Sequence, residues 1–142
     1  SYLNEEEDAR EAERYVVEAG RRAILCPGDL AEESHATSLV ERAFDEFGRL
    51  DILVNNAAYQ MTHEKIDEIT TEEWEHTLRV NITAMFLMCR AALRRMRPGS
   101  SIINTASVQA YKPTGTLLPY ATTKGAIVTF TKALSELAAE QG

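Results

Sequence analysis

A tyrosine and a lysine lie four residues apart in the last part of the chain. Tyr120 and Lys124 fall within a run, residues 120–141, that has the apolar spacing of a helix, so both side chains lie on one face, one turn apart. A phenol has an unperturbed pKa of roughly 10, and a neighbouring ammonium favours the phenolate and lowers that pKa. The pair therefore predicts a tyrosine that can give or take a proton.

A serine precedes this pair at the end of a short apolar run. Residues 100–105 are predicted to form a buried strand, and Ser107 lies thirteen residues before Tyr120. A hydroxyl placed there would hold a substrate oxygen by a hydrogen bond while Tyr120 exchanges its proton. The alternative is that Ser107 ends a strand, Tyr120 opens a helix and Lys124 is solvated, since a pattern of two fixed residues also arises by chance.

Two further motifs upstream favour the chemical interpretation. Residues 50–58, Leu-Asp-Ile-Leu-Val-Asn-Asn-Ala-Ala, resemble the fourth-strand signature of the short-chain dehydrogenase/reductases, which usually ends in Asn-Asn-Ala-Gly; Ala58 replaces that glycine. Ser107, Tyr120 and Lys124 resemble the same family's active site in order and spacing. Asn81 lies where the family has its fourth catalytic residue. It falls inside an apolar helical run, where asparagine is unfavourable because its amide competes for backbone hydrogen bonds.

The resemblance implies a role for each of these residues. Tyr120 would be the general acid/base, and Lys124 would lower the pKa of the phenol and hold the nicotinamide ribose. Ser107 would polarise the carbonyl, and Asn81 would support a water that links Lys124 to solvent. An Asn81 satisfied by neighbouring backbone or by a bent helix is compatible with that relay. The stretches around Tyr2 and residues 55–60 also look like the glucose/ribitol-dehydrogenase-like subgroup.

Cofactor contacts are expected where a strand ends. Asn56, Ala57 and Ala58 follow a strand at its carboxyl end, where open α/β sheets bind ligands, and small side chains allow a close approach. The alternative is an ordinary Asn-Asn turn with packed alanines. By resemblance, Asp29 would face the adenine ring with Leu30 packed nearby; the alternative for Asp29 is a helix-capping or solvated carboxylate. The resemblance adds the catalytic tyrosine and lysine to the cofactor contacts.

The elements that position these residues alternate along the chain. We predict strands at 1–3, 22–26, 50–54 and 101–105, and helices from an acidic turn to about residue 19, at 32–47, at 71–96 and at 120–141. Thr70 and Glu73 form a capping box that opens the long helix. The apolar strand 50–54 is expected to be covered on both faces. The order predicts an α/β, doubly wound parallel sheet with right-handed crossovers.

One part of a dinucleotide-binding fold is not found in these residues. A first strand with a Gly-rich turn holds the pyrophosphate in such folds, and this chain has no such turn. By resemblance, residues 1–142 are the central part of a single NAD(P)-binding, Rossmann-like domain that is incomplete, with the first strand and the C-terminal part absent. We expect a fragment, or the ordered part of a longer protein, whose sheet is not continuous and which alone is inactive.

Composition narrows the class of partner. The chain has 142 residues, 44% of them hydrophobic, and a net charge of −7 without a basic patch, so neither nucleic acid nor an anionic membrane is an expected partner. It shows no apolar run of membrane-spanning length and no signal-peptide pattern. A soluble, cytoplasmic protein with reduced core cysteines, Cys26 and Cys89, is expected.

The histidines show no metal-ligand spacing. His35, His63 and His76 are not spaced as ligands with one another or with a cysteine. We therefore predict no metal site and place all three histidines on the surface.

Two helices are apolar over a wide arc, which predicts a second buried face. The residues concerned are Ala84, Leu87, Met88, Ala91, Ala92, Ala126, Val128, Phe130, Ala133, Leu134 and Leu137. The resemblance implies that these helices pack against their symmetry mates in a homo-oligomer, a dimer or tetramer. Ala84 and Ala133 would allow close approach there. The alternative is that other parts of the same chain cover this face.

Taken together, these residues predict an NAD- or NADP-dependent oxidoreductase that interconverts a small-molecule alcohol and a carbonyl. The choice between NAD and NADP stays open, because residues 1–4 contain no Asp to favour an unphosphorylated ribose. A non-catalytic nucleotide-binding or oligomeric scaffold module is the alternative. Ser-nucleophile hydrolysis is set aside because residues 105–109 form no Gly-x-Ser-x-Gly elbow.

Overall fold

The computed structural model describes residues 1–140. Its helices and strands are α1 (Glu6–Glu18), α2 (Glu33–Phe47), β1 (Ile52–Asn55), α3 (Thr71–Leu78), α4 (Ala84–Leu93), β2 (Ser101–Asn104) and α5 (Leu118–Ala139). Short 3-10 turns lie at Ile66–Glu68, Val108–Ala110 and Gly115–Leu117, and a π turn lies at Arg79–Thr83. The predicted alternation is therefore observed from α2 onwards. No helix of residues 1–140 is long and apolar enough to cross a membrane.

β1 and β2 form a two-stranded parallel sheet. Ile52 pairs with Ser101 at one end, and Asn55 pairs with Asn104 at the other. The connection between them runs through α3 and α4, as a parallel pair requires. The predicted parallel arrangement of these two strands is confirmed, and it brings the carboxyl ends of both to one edge.

The two earlier predicted strands are not formed as strands. Residues 1–3 meet the second segment only in an isolated parallel bridge between Tyr2 and Pro27, one residue beyond the predicted strand 22–26. An open groove of about 400 Å³ separates this bridge from β1. The lining of the groove includes Cys26, next to the bridge, and Leu53 of β1. Each bridged segment thus has a partner on one side at most, and no ladder extends from the bridge. The expected break in the sheet is observed at this groove.

The long predicted helix is divided into three parts. α3 is followed by the π turn, in which the Ala84 N–H donates to the carbonyl of Arg79, and then by α4. α4 ends at Leu93, three residues before the predicted end. The chain leaves it through a turn in which the Met96 N–H donates to Ala92 O at 2.8 Å. Helix ends fray into such turns, so sequence patterns locate them poorly.

Local signals set the other helix ends. α2 ends at Phe47 as predicted, because Gly48 takes a left-handed φ of 73° and its N–H donates to Phe44 O at 2.8 Å. α5 begins at Leu118, two residues before the predicted start. Pro119 lies in its first turn, where the missing N–H costs no hydrogen bond. The predicted end of this helix, Gln141, lies outside the described residues.

The core lies on one face of the sheet. α2 packs on α4 around Val40, Phe44 and Leu87, and a second cluster joins α4 to α5 around Cys89 and Ile127. Cys26 and Cys89 are both free and buried, as predicted. The opposite face of the strands is open, against the expectation of burial on both faces. Its exposed apolar residues are Ile52 at 59%, Val54 at 55% and Ile103 at 50%.

The α4 side of the predicted contact differs from the prediction, because Leu87, Met88 and Ala92 are buried in the α2/α4 cluster together with Ala84. Ala84 is only 1% exposed because it packs in the α2/α4 cluster, so the prediction that it faces a symmetry mate is wrong. The outer face of α5 is open, with Ala126 and Ala133 exposed and Leu137 73% exposed. Phe86 on α4 is 42% exposed.

Candidate active site

Tyr120 and Lys124 lie on consecutive turns of α5, as the spacing predicted. The Lys124 ammonium nitrogen is 5.4 Å from the centre of the Tyr120 ring. Lys124 is 2% exposed, and its Nζ donates to the Thr105 carbonyl at 2.7 Å. Burial lowers the pKa of Lys124 because desolvation disfavours the ammonium. The ring face and the carbonyl therefore provide the electrostatic compensation for a cation beside the phenol.

Ser107 is the capping residue of the 3-10 turn that follows β2. Its backbone is extended and its Oγ accepts from the Gln109 N–H at 3.2 Å. The Gln109 side chain continues across the loop, accepting from Thr114 N–H at 2.7 Å and donating to Thr114 Oγ1 at 3.1 Å. The turn Val108–Ala110 packs on α5. Ser107 is thus held close to the helix that carries Tyr120.

Asn81 joins three separate segments of the chain. Its side-chain oxygen accepts from Tyr59 N–H at 2.7 Å, and its amide nitrogen donates to Tyr59 O at 2.9 Å and to Thr123 Oγ1 at 3.0 Å. Thr123 is fully buried and donates its own proton to the Tyr120 carbonyl at 2.7 Å. Asn81 lies in a π turn, as the bent-helix alternative expected, but the backbone that satisfies it belongs to Tyr59, 22 residues away, and not to a neighbour in the chain. Its relay role stays a prediction.

The end of β1 is tied to the same centre. Asn56 accepts a hydrogen bond from Thr105 Oγ1 at 3.1 Å, and the carbonyl of Thr105 holds Lys124. Asn56, Ala57 and Ala58 are all exposed at the carboxyl edge of the sheet. Thr105, which the motifs did not single out, thereby links the predicted cofactor loop to the lysine.

A cavity of about 330 Å³ lies beside this loop. Its lining includes Asp29, Leu30, Ala57, Ala58, Tyr59 and His76. Asp29 Oδ1 accepts from Ala31 N–H at 2.8 Å in a turn before α2, whose capping residue is Glu32, so Asp29 does not cap the helix; Leu30 packs against the core. Both residues line this cavity, and their contact with the cofactor stays a prediction.

A polar network that sequence reasoning missed joins the carboxyl ends of β1 and β2 to α4 and α5. Asn55 Nδ2 donates to Asn104 Oδ1 at 2.8 Å and to Cys89 Sγ at 3.3 Å, and Asn104 Nδ2 donates to Thr131 Oγ1 at 3.0 Å. Burial raises the pKa of Cys89 to about 11, so its thiol stays protonated. Within residues 1–140, Asn55 Oδ1 is buried without a partner. Asparagines inside two apolar strands were the signal that could have revealed this network.

The three histidines are less exposed than predicted, since each is half-buried. His63 is half-buried and its ring pairs with Glu73, while the His76 ring meets Tyr59 edge-on at 4.7 Å. His35 packs under Gly28, where a Cβ would lie 2.4 Å from its ring. Histidine presents an apolar body and polar nitrogens, so tertiary partners decide its burial. No group of three or more potential metal ligands is found in the described part of the chain.

Comparison with known proteins identifies the family. The model of the family described as short chain dehydrogenase matches residues 2–142, and the chain belongs to this family. It is 45% identical over 141 residues to the uncharacterised oxidoreductase YhxC of Bacillus subtilis, covering 99% of this chain and 50% of that protein. It is 42% identical over 142 residues to the chloroplastic NADPH-dependent aldehyde reductase 1 of Arabidopsis thaliana, covering 97% and 49%.

Solved structures agree with the fold. A short-chain dehydrogenase from Burkholderia cenocepacia in complex with NADP superposes with a TM-score of 0.95 at 31% identity, over 99% of this chain and 58% of that one. L-sorbose reductase from Gluconobacter frateurii, complexed with NADPH and L-sorbose, gives 0.89 at 29% identity, over 99% and 54%. The predicted doubly wound, Rossmann-like class is confirmed. The chain spans about half the length of the curated relatives that it matches.

Proposed function

We propose that the whole protein is an NAD(P)-dependent oxidoreductase that interconverts an alcohol and a carbonyl compound. The observation that carries this proposal is the buried Lys124, held over the ring of Tyr120 by the carbonyl of Thr105. A buried ammonium is costly unless it is paired, and a functional site is where such a cost is usually retained. A bound nicotinamide would supply or accept the hydride.

The protein residues would manage the substrate oxygen and its proton. During oxidation the Tyr120 phenolate takes the proton from the substrate hydroxyl as the hydride leaves the carbon; during reduction the phenol returns it. Ser107 would hold the same oxygen through its Oγ. Lys124 would stabilise the phenolate by its charge and bind the nicotinamide ribose. Asn81 would support the water through which Tyr120 recovers its proton.

The nucleotide would lie along the carboxyl edge of the sheet. Exposed Asn56, Ala57 and Ala58 leave the loop backbone open to a close approach. Asp29 and Leu30 would contact the adenine in the cavity beside this loop. Tyr120 and Lys124 would contact the nicotinamide half. Relatives crystallised with NADP and NADPH support this class of cofactor.

The remaining expectations concern the whole protein. We place residues 1–142 in the centre of a single NAD(P)-binding domain of a cytoplasmic homo-oligomer, a dimer or tetramer. The open outer face of α5 supports the oligomer. Relatives that act on L-sorbose or on aldehydes support a small polyol, sugar or aldehyde as the substrate.

The test is hydride transfer by the full-length protein, followed as nicotinamide absorbance against a panel of sugars, polyols and aldehydes. Tyr120→Phe should lower kcat by about 10²- to 10⁴-fold, because only the transferable proton is removed. Cofactor affinity should survive. Tyr111→Phe is the matched control, since Tyr111 is 75% exposed and lies in the loop before α5. A Tyr120→Phe enzyme that keeps most of its rate would exclude Tyr120 as the acid.

A further inference from the structure

A histidine and a glutamate form a half-buried pair beside the active site. The His63 Nε2 and the Glu73 Oε1 are 2.6 Å apart, and their side chains are 14% and 18% exposed. Ion pairs at the surface are weak because water screens them. This pair is largely shielded, so breaking it would leave a polar group half-buried without its partner.

Glu73 gives up a local hydrogen bond to make this contact. Thr70 caps α3 by accepting from Glu73 N–H at 3.1 Å, which is one half of the predicted capping box. In the other half the glutamate carboxylate would return to the N–H of Thr70. The carboxylate turns to His63 instead. A residue that departs from the local helix-capping pattern in favour of a tertiary contact indicates a functional or strained site.

His63 also contacts the segment that leads into α5. Its backbone N–H donates to Thr116 O at 2.9 Å, and Thr116 lies in the 3-10 turn Gly115–Leu117 that leads directly into α5. At the other end of the same segment, Gln109 bonds both Ser107 and Thr114. Segment 107–117 is thus fixed internally by Gln109 and anchored to α3 through His63.

We propose that His63 and Glu73 are positioning residues, which hold segment 107–117 so that Ser107 and Tyr120 face the same substrate oxygen. The inference rests on the proposed function, and it adds a specific dependence of turnover on this pair. Neither residue belongs to the two apolar clusters, so removing the pair leaves the core intact. A shift of about 1 Å in such a segment can lower a rate by up to about 100-fold.

The experiment compares His63→Leu, Glu73→Ala and the double variant of the full-length protein. Backbone hydrogen exchange of His63 and of residues 107–117 should become about tenfold faster in each single variant, since losing a hydrogen bond to a charged group shifts local opening by at least about that factor. The double variant should exchange no faster, and have no lower kcat, than either single variant, because the two residues act as one unit. kcat should fall about tenfold, while cofactor affinity stays unchanged.

Two controls separate positioning from a general loss of stability. His63→Gln keeps an N–H donor near the position of Nε2 and should restore most of the exchange protection and the rate. Glu72→Ala removes an exposed carboxylate from the same helical turn and should change neither. Unchanged exchange of residues 107–117 in His63→Leu would overturn the proposal. So would a variant that loses cofactor affinity and rate together.

The exchange measurement needs no substrate. If the wild-type protein transfers no hydride to any member of the panel, the proposed function fails on that result alone. The faster exchange in His63→Leu and its rescue in His63→Gln would then still establish that the pair holds segment 107–117.

Discussion

The ammonium of Lys124 is buried where an isolated charge would be costly. Its charge is compensated by the carbonyl of Thr105 at 2.7 Å and by the nearby ring of Tyr120. Burial lowers the pKa of Lys124, so keeping a cation at this point lowers the free energy of unfolding. Lys124 is the electrostatic centre of the candidate site. It lies on α5 with Tyr120, and the residue whose carbonyl it bonds, Thr105, also contacts Asn56 at the end of β1.

Lys124→Met should weaken cofactor binding and move the activity profile of the full-length enzyme to higher pH. A cation stabilises the anionic form of its neighbour, so without it deprotonation of the phenol requires a higher pH. The measurement is kcat/KM against pH together with cofactor affinity. Lys132→Met, at an exposed position on the same helix, should leave both unchanged. An unmoved profile would remove the electrostatic role from Lys124.

The π turn and α5 form the element pair on which the site depends. Arg79–Thr83 widens the helix where Asn81 points to the Tyr59 backbone, and the same amide reaches Thr123 on α5. π turns inside helices occur frequently at functional sites. Here the turn directs one asparagine to the Tyr59 backbone and to α5 at once. Thr123 is the contact on the helix side, and its proton holds the carbonyl of Tyr120.

Thr123→Val should lower the free energy of unfolding of the full-length protein by about 1–3 kcal/mol per buried polar group left without a partner. The group left without a partner is one N–H of the Asn81 amide, whose other bond to Tyr59 O is kept; the Tyr120 carbonyl loses the hydroxyl donor but stays a helical acceptor inside α5. Thr123→Ser keeps the hydroxyl and should restore most of the stability. Urea unfolding of both variants checks this. A Val variant as stable as the wild type would show that the buried hydroxyl contributes nothing.

At the scale of the whole molecule, much apolar surface is open in residues 1–140. One face of the sheet exposes Ile52, Val54 and Ile103, and the outer face of α5 exposes Ala133 and Leu137. Monomeric proteins seldom leave wide apolar patches uncovered. The first surface is the uncovered face of β1 and β2. The second is on α5, on the side of that helix away from the second core cluster. Different partners are therefore expected to cover the two surfaces.

Ala133→Glu combined with Leu137→Glu should split the full-length assembly. Both residues are exposed on the outer face of α5, and a charge buried against its symmetry copy in an isologous contact is repelled. Light scattering should show a smaller mass. Lys132→Glu, which lies on a different side of the helix, should leave the mass unchanged. A wild type already monomeric at micromolar concentration would contradict the oligomer.

The sequence alone determined the parallel pairing of β1 with β2 and the shared face of Tyr120 and Lys124. It also determined helix ends that carry a strong local signal, such as the end of α2 at Gly48. These features depend on spacing and on signals a few residues long, which the chain carries locally. The family's motifs lie in the same stretches, so the class of protein was predictable as well.

The tertiary structure decided the features whose partners are distant in the chain. Asn81 bonds residues 22 and 42 positions away, and the Glu73 carboxylate leaves its own helix for His63. Ala84 is buried by α2, and the first two predicted strands fall short of a ladder. Local propensity assigns a helix, a cap or an exposed face, but it does not specify which distant group satisfies a buried amide or carboxylate. That choice is made by the packing of whole elements, through the cost of leaving such a group unpaired.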